Sequence, residues 1–144
     1  MKQIRRRQNY LGISGWVWGG RYGLERYLYL LHRVTGLAML LFLVFHLIET
    51  TFFRIQGKDV WEATMSFLDK PWFEAGIYLV AVAFVYHALN GLRLILQELG
   101  FTLGKPTPPI FPYKDALRRK RPWTVTMLAV VVIFALVFLF DFLV

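Results

Sequence analysis

"LLHRVTGLAMLLFLVFHLIET" occupies residues 30 to 50 and is apolar almost throughout, yet it carries His32, Arg33 and His46. A helix needs roughly 20 predominantly apolar residues to cross ~30 Å of hydrocarbon, at 1.5 Å of rise per residue. The stretch therefore reads as part of a transmembrane helix, and its three polar residues ask for partners other than lipid.

Outward from this segment the same pattern recurs. Apolar stretches cover residues 29–52, 72–97 and 123–144, and the second and third open on "KPW" and "RPW". Proline fits the first turn of a helix, where its missing N–H would have no partner anyway, and Trp72 and Trp123 suit the interfacial aromatic belts. The fold class expected is an all-α membrane protein with three transmembrane helices. Residues 1–28 form a cytoplasmic or interfacial N-terminal segment, and 29–144 form the membrane domain.

The 144 residues are 57% hydrophobic and include no cysteine. Such a composition is too apolar for an ordinary soluble domain. Without cysteine there are no disulfides, thiolate metal sites or directly ligated iron–sulfur clusters, so a metal must be held by nitrogen or oxygen. The three histidines are the main candidates. The basic N-terminus, "MKQIRRRQNYLGISG", is not followed by the apolar run and cleavage site of a signal peptide and is expected to be retained.

The formal charge of +8 has a topological origin. Lys2, Arg5, Arg6, Arg7, Arg21 and Arg26 precede the first span, and Lys105, Lys114, Arg118, Arg119, Lys120 and Arg121 lie in the second loop. In the first loop Arg54, Lys58 and Lys70 are balanced by Asp59, Glu62 and Asp69. The positive-inside rule then puts the N-terminus and second loop in the cytoplasm, as in a multi-pass protein of the cell's inner (cytoplasmic) membrane. Nucleic acid is not an expected partner, since no recognition fingerprint accompanies the charge.

Ionisable groups at bilayer depth cost several kcal/mol on insertion scales, about 2.5–3.5 for arginine or aspartate at a helix centre, and default to function. His32 and Arg33 are expected near the cytoplasmic edge. His46, fourteen residues on, lies ~21 Å further out on nearly the same face. His87 is expected about 22 Å from the outer end of the second span, and His46 only about 9 Å from the outer end of the first. Differing by roughly 13 Å in height, His46 and His87 should not share one iron. The spacing His-x-x-x-Gly occurs twice, in "HRVTG" and "HALNG". A glycine one turn from a histidine permits close approach of a flat macrocycle or another helix. Arg93 is expected to snorkel to the inner interface. The residues by themselves also allow packing histidines that bind no metal.

Taken in order, "LHRVTG" and "YHALNGLRLILQELG" resemble the cytochrome b membrane-anchor subunit of succinate:quinone oxidoreductase, respiratory complex II. The resemblance covers roughly residues 24–144 and implies an anchor packing with a companion anchor subunit into a helical bundle. It implies that His87 is an axial ligand of haem b, whose opposite ligand comes from the companion. It further implies that His32, Arg33 and Arg93 lie near the haem propionates and that Tyr29, His32 and Arg33 border a quinone site. Tyr29 stands where well-known members carry a serine. "VFHLIET" is similar to first-helix endings of forms with a second, distal haem, which makes His46 a second candidate ligand. The partners implied are the companion anchor, an iron–sulfur subunit, a flavoprotein subunit, quinone and membrane lipids. The dicarboxylate chemistry would reside on other subunits. A fumarate reductase anchor, another diheme cytochrome b, and a non-catalytic helical scaffold are the alternatives.

Overall fold

The computed structural model describes residues 24–105, 108–110 and 121–143. Helix α1, Leu24–Leu47, continues into a π-helical turn, Ile48–Phe53; α2 is Lys58–Leu68, α3 is Pro71–Glu98 and α4 is Arg121–Leu143. Among the described residues there is no strand. Three helical stretches, Leu24–Phe53, Pro71–Glu98 and Pro122–Leu143, are long and apolar enough to cross a membrane.

The second and third spans fall close to where the hydropathy places them. The first begins earlier, at Leu24 rather than residue 29, because polar Glu25 and Arg26 hide a helical turn from an apolar-run criterion. His32 consequently lies about two turns after the start of its helix. The expected first loop is largely helical: α2 places Val60, Ala63 and Phe67 on one face, in a groove shared with Phe45, Phe53 and Phe73. The N-terminal segment up to residue 23, with its basic cluster, and the basic stretch 111–120 lie outside the described residues.

The ends of α3 follow from local chemistry. Pro71 opens it with Lys70 extended before it, as a proline at the first helical position favours. Gly100, at φ +81°, closes it. The Gly100 N–H donates to the Gln97 carbonyl and the Phe101 N–H to that of Leu96, the paired bonds of a glycine-terminated Schellman cap.

Helix α3 occupies the middle, packed against α1 on one side and α4 on the other. The pairs Glu25–Arg93 and Thr35–His87 make α1 and α3 antiparallel, and Arg93–Thr124 with Tyr78–Ala135 do the same for α3 and α4. The buried apolar core is small: Leu28, Tyr86, Met127 and Val131, with Val85, Leu89 and Leu128 around it. No more than 17% of the most apolar window of any span is buried inside the chain. The rest of that surface is left for lipid or for partner helices, since water would not tolerate it.

Candidate functional site

Two histidines meet between α1 and α3. The rings of His32 and His87 stack with centroids 3.8 Å apart and planes inclined by 11°. In each helix the glycine four residues on lies on the face of its histidine, and in the antiparallel pair each glycine makes room for the other helix's ring. A Cβ on Gly36 would lie 2.8 Å from His87 Cε1, which is a clash. A Cβ on Gly91 would lie 3.4 Å from His32 Cε1, which is ordinary contact. The repeated His-x-x-x-Gly spacing is thus a reciprocal socket, with a tight half at Gly36 and a looser one at Gly91.

The hydrogen bonds assign the His87 tautomer. His87 Nδ1 is 3.0 Å from the His32 carbonyl oxygen, which can only accept, so Nδ1 carries the proton. Thr35 Oγ1, also 3.2 Å from Nδ1, has its own hydrogen directed at the carbonyls of Leu31 (2.8 Å) or His32 (3.0 Å) and receives the same N–H. The proton on Nδ1 leaves Nε2 with its lone pair, the state a metal-ligating imidazole needs. His32 Nδ1, by contrast, is buried with no hydrogen-bond partner among the described residues.

Flanking polar groups hold the two helices in register. Tyr86, buried, donates its hydroxyl to the Leu28 carbonyl at 2.7 Å. Near the start of α1, Arg93 turns inward and is only 6% exposed, so it does not snorkel. Its Nη1 donates to Glu25 Oε2 at 2.7 Å and reaches Thr124 Oγ1 at 3.5 Å, and its Nε donates to Asn90 Oδ1 at 3.0 Å. The reason is a ready-made counter-charge: Glu25 lies in the first turn of α1, where a carboxylate also suits the helix dipole. Asn90 is fully buried and Thr124 nearly so. Glu25, Thr35, Tyr86, Asn90 and Thr124 were not singled out from sequence. For Glu25, Thr35, Tyr86 and Asn90 the signal available was a spacing of three or seven residues from His32, His87 or Arg93, which becomes informative only once the helices are paired; Thr124, on α4, had no such signal.

Tyr29 and Arg33, one turn apart, share an exposed face beside the histidine pair, with the guanidinium carbon 5.6 Å from the ring centroid. His32 points away from them, toward α3. His46 stands apart from this site at the other end of α1. Its side chain is half exposed, with Nδ1 3.5 Å from Glu49 Oε2 in the π-helical turn and its ring stacked near Phe42. It borders a groove of about 830 Å³ whose lining also includes Ser66, Asp69 and Glu74. A second groove, of about 750 Å³, begins at Gly36 and is lined by Met39, Leu43, Val80, Phe84 and other apolar side chains. Among the described residues no set of three or more His, Asp or Glu side chains is placed to hold a bare metal ion.

No curated protein and no solved structure is similar enough to this chain to count as a match. The family model described as the succinate dehydrogenase/fumarate reductase transmembrane subunit matches residues 19–140, which takes in the histidine pair, the arginine cluster and nearly all of the three spans. The chain belongs to the succinate dehydrogenase/fumarate reductase transmembrane subunit family.

Proposed function

We propose that this chain is the haem b-binding membrane anchor of a succinate dehydrogenase in the cytoplasmic membrane. In this reading it tethers the flavoprotein and iron–sulfur subunits, packs with a companion anchor and helps form the site of quinone reduction. The observation that carries the proposal is the protonation of His87: Nδ1–H is engaged by the His32 carbonyl and Thr35, so Nε2 is a free donor atom in an apolar bundle. A lone ligating imidazole suits haem iron, whose remaining ligands come from the macrocycle and from a histidine of the companion. Haem bound there supplies a one-electron redox centre whose potential responds to axial ligation and burial.

His32 Nδ1, buried and unpaired among the described residues, supports a hydrogen bond to a propionate or quinone oxygen. Arg33 offers a fork of donors to the same groups, and Tyr29 beside it a phenolic donor. Of the three arginine and histidine side chains expected at the propionates, Arg93 is already charge-paired with Glu25, so the reading rests on His32 and Arg33. Two-electron reduction of a quinone takes up two protons. A site toward the cytoplasmic end of α1 would let water supply them, and the Arg33 guanidinium would stabilise charge developing on the quinone oxygen.

The test is optical. The purified complex should show a reduced-minus-oxidised cytochrome b spectrum when succinate is added, and His87→Ala should abolish it. An unchanged spectrum in that variant rejects the ligand assignment, and the absence of any haem absorbance in the wild type favours a non-catalytic scaffold. A haem-to-complex ratio of one assigns a single haem to His87, whereas a ratio of two brings in His46. The relative rates of quinone reduction by succinate and of fumarate reduction by quinol in the purified complex separate this reading from a fumarate reductase anchor.

A further inference from the structure

We propose that Thr35 is a positioning residue for the haem ligand, its hydroxyl sharing the His87 Nδ1 proton with the His32 carbonyl and so setting the orientation and basicity of the ring. The inference rests on the reading of His87 as that ligand. Thr35 is buried, on the face of α1 that meets α3. A threonine hydroxyl in a helix commonly bonds back to a carbonyl three or four residues earlier, and Thr35 does so. That habit alone would make it a local ornament of α1.

The contact across the helix interface gives it a second role. With its hydrogen committed to a carbonyl of its own helix, Oγ1 presents only lone pairs to α3. The nearest donor there is His87 Nδ1–H, 3.2 Å away. The His32 carbonyl, 3.0 Å from the same nitrogen, also belongs to the backbone of α1, and Gly36 lets the ring edge come this close. "HRVTG" is therefore a three-part cradle: a carbonyl from its first residue, a hydroxyl from its fourth and an absent side chain at its fifth. The carbonyl is supplied by any residue type. Of the two acceptors only the hydroxyl is chosen by sequence, so the tuning of the His87 N–H from α1 lies with Thr35.

An acceptor on the distal N–H of a ligating imidazole makes the ring a stronger electron donor, which favours the oxidised metal. The whole complex, purified with Thr35→Val, Thr35→Ala or Thr35→Ser in this chain, is compared with the wild type. Haem content, midpoint potential by optical redox titration and the largest g-value of the oxidised low-spin haem are measured. Valine and alanine are expected to raise the midpoint potential and shift the g-value, and serine to return both to wild type. Valine and alanine indistinguishable from wild type with haem bound, or serine displaced as far as valine, overturns the proposal. If the valine complex does not assemble, the alanine and serine complexes decide by the same criterion. Haem retained in His87→Ala overturns the ligand reading and this inference with it, an outcome distinct from a wild-type potential in Thr35→Val.

Discussion

At Gly36 a single methyl group decides whether the two histidines can meet. A Cβ there would lie 2.8 Å from Cε1 of the His87 ring, so the ring would have to shift, whereas at Gly91 the corresponding distance is 3.4 Å. Gly36→Ala is therefore expected to displace the His87 ring and strip haem from the complex, while Gly91→Ala leaves the pair in place. Haem content of the two variants by the pyridine haemochromogen assay checks the asymmetry. Tyr86→Phe removes one buried hydrogen bond, to the Leu28 carbonyl, and should cost about 1 kcal/mol without loss of haem. A detergent-melting curve followed at the haem band reads both effects. The two His-x-x-x-Gly units were legible in the sequence as places of close approach. That each glycine serves the other helix's histidine was not, because the spacing is a property of one helix and the socket of two.

At the scale of elements, α1 and α3 are locked by charge at one end as well as by rings further in. Glu25 and Arg93 form the lock, with Asn90 and Thr124 completing it. Breaking a fully buried pair by removing one partner leaves an uncompensated charge, at a cost of about 3–5 kcal/mol, which is an upper bound here because Glu25 is 30% exposed. Glu25→Ala is thus expected to destabilise the anchor by up to that amount, and more than Arg93→Met combined with Glu25→Ala, which removes both charges. Thermal stability of the assembled complex in detergent, compared across the single and double variants, measures the difference. Sequence reading put the second and third spans nearly where they are, since hydropathy and the "KPW" and "RPW" starts coincide. It began the first span too late and missed α2, because charged residues in a first turn and a short amphipathic helix both lack the long apolar run on which hydropathy depends.

For the molecule as a whole, the outward surface is its main chemical statement. Leu37, Leu41, Ile133 and Leu136 are each about 60% exposed on helices that carry few charges outside the inward-facing site. Such a bundle buries too little of itself to stand alone in water, and its surroundings are lipid or other apolar helices. The charge distribution predicts which way it lies. Because the chain has no cysteine, single cysteines report topology without background. Gln56→Cys, between α1 and α2, is expected to react with a membrane-impermeant maleimide in intact cells stripped of their outer wall. Lys105→Cys, after α3, should react only once the membrane is opened.

What the sequence determined by itself was the class of molecule: three spans, no thiol chemistry, two histidine–glycine units and a family resemblance that the match over residues 19–140 bears out. These are properties of composition and of period along one helix. The tertiary structure alone decided that His32 and His87 stack, that Arg93 turns to Glu25 instead of to the interface, and that Thr35 and the His32 carbonyl hold the His87 proton. Each of these needs the axial register of two antiparallel helices, and helical periodicity in one segment carries no information about the height at which it meets the next.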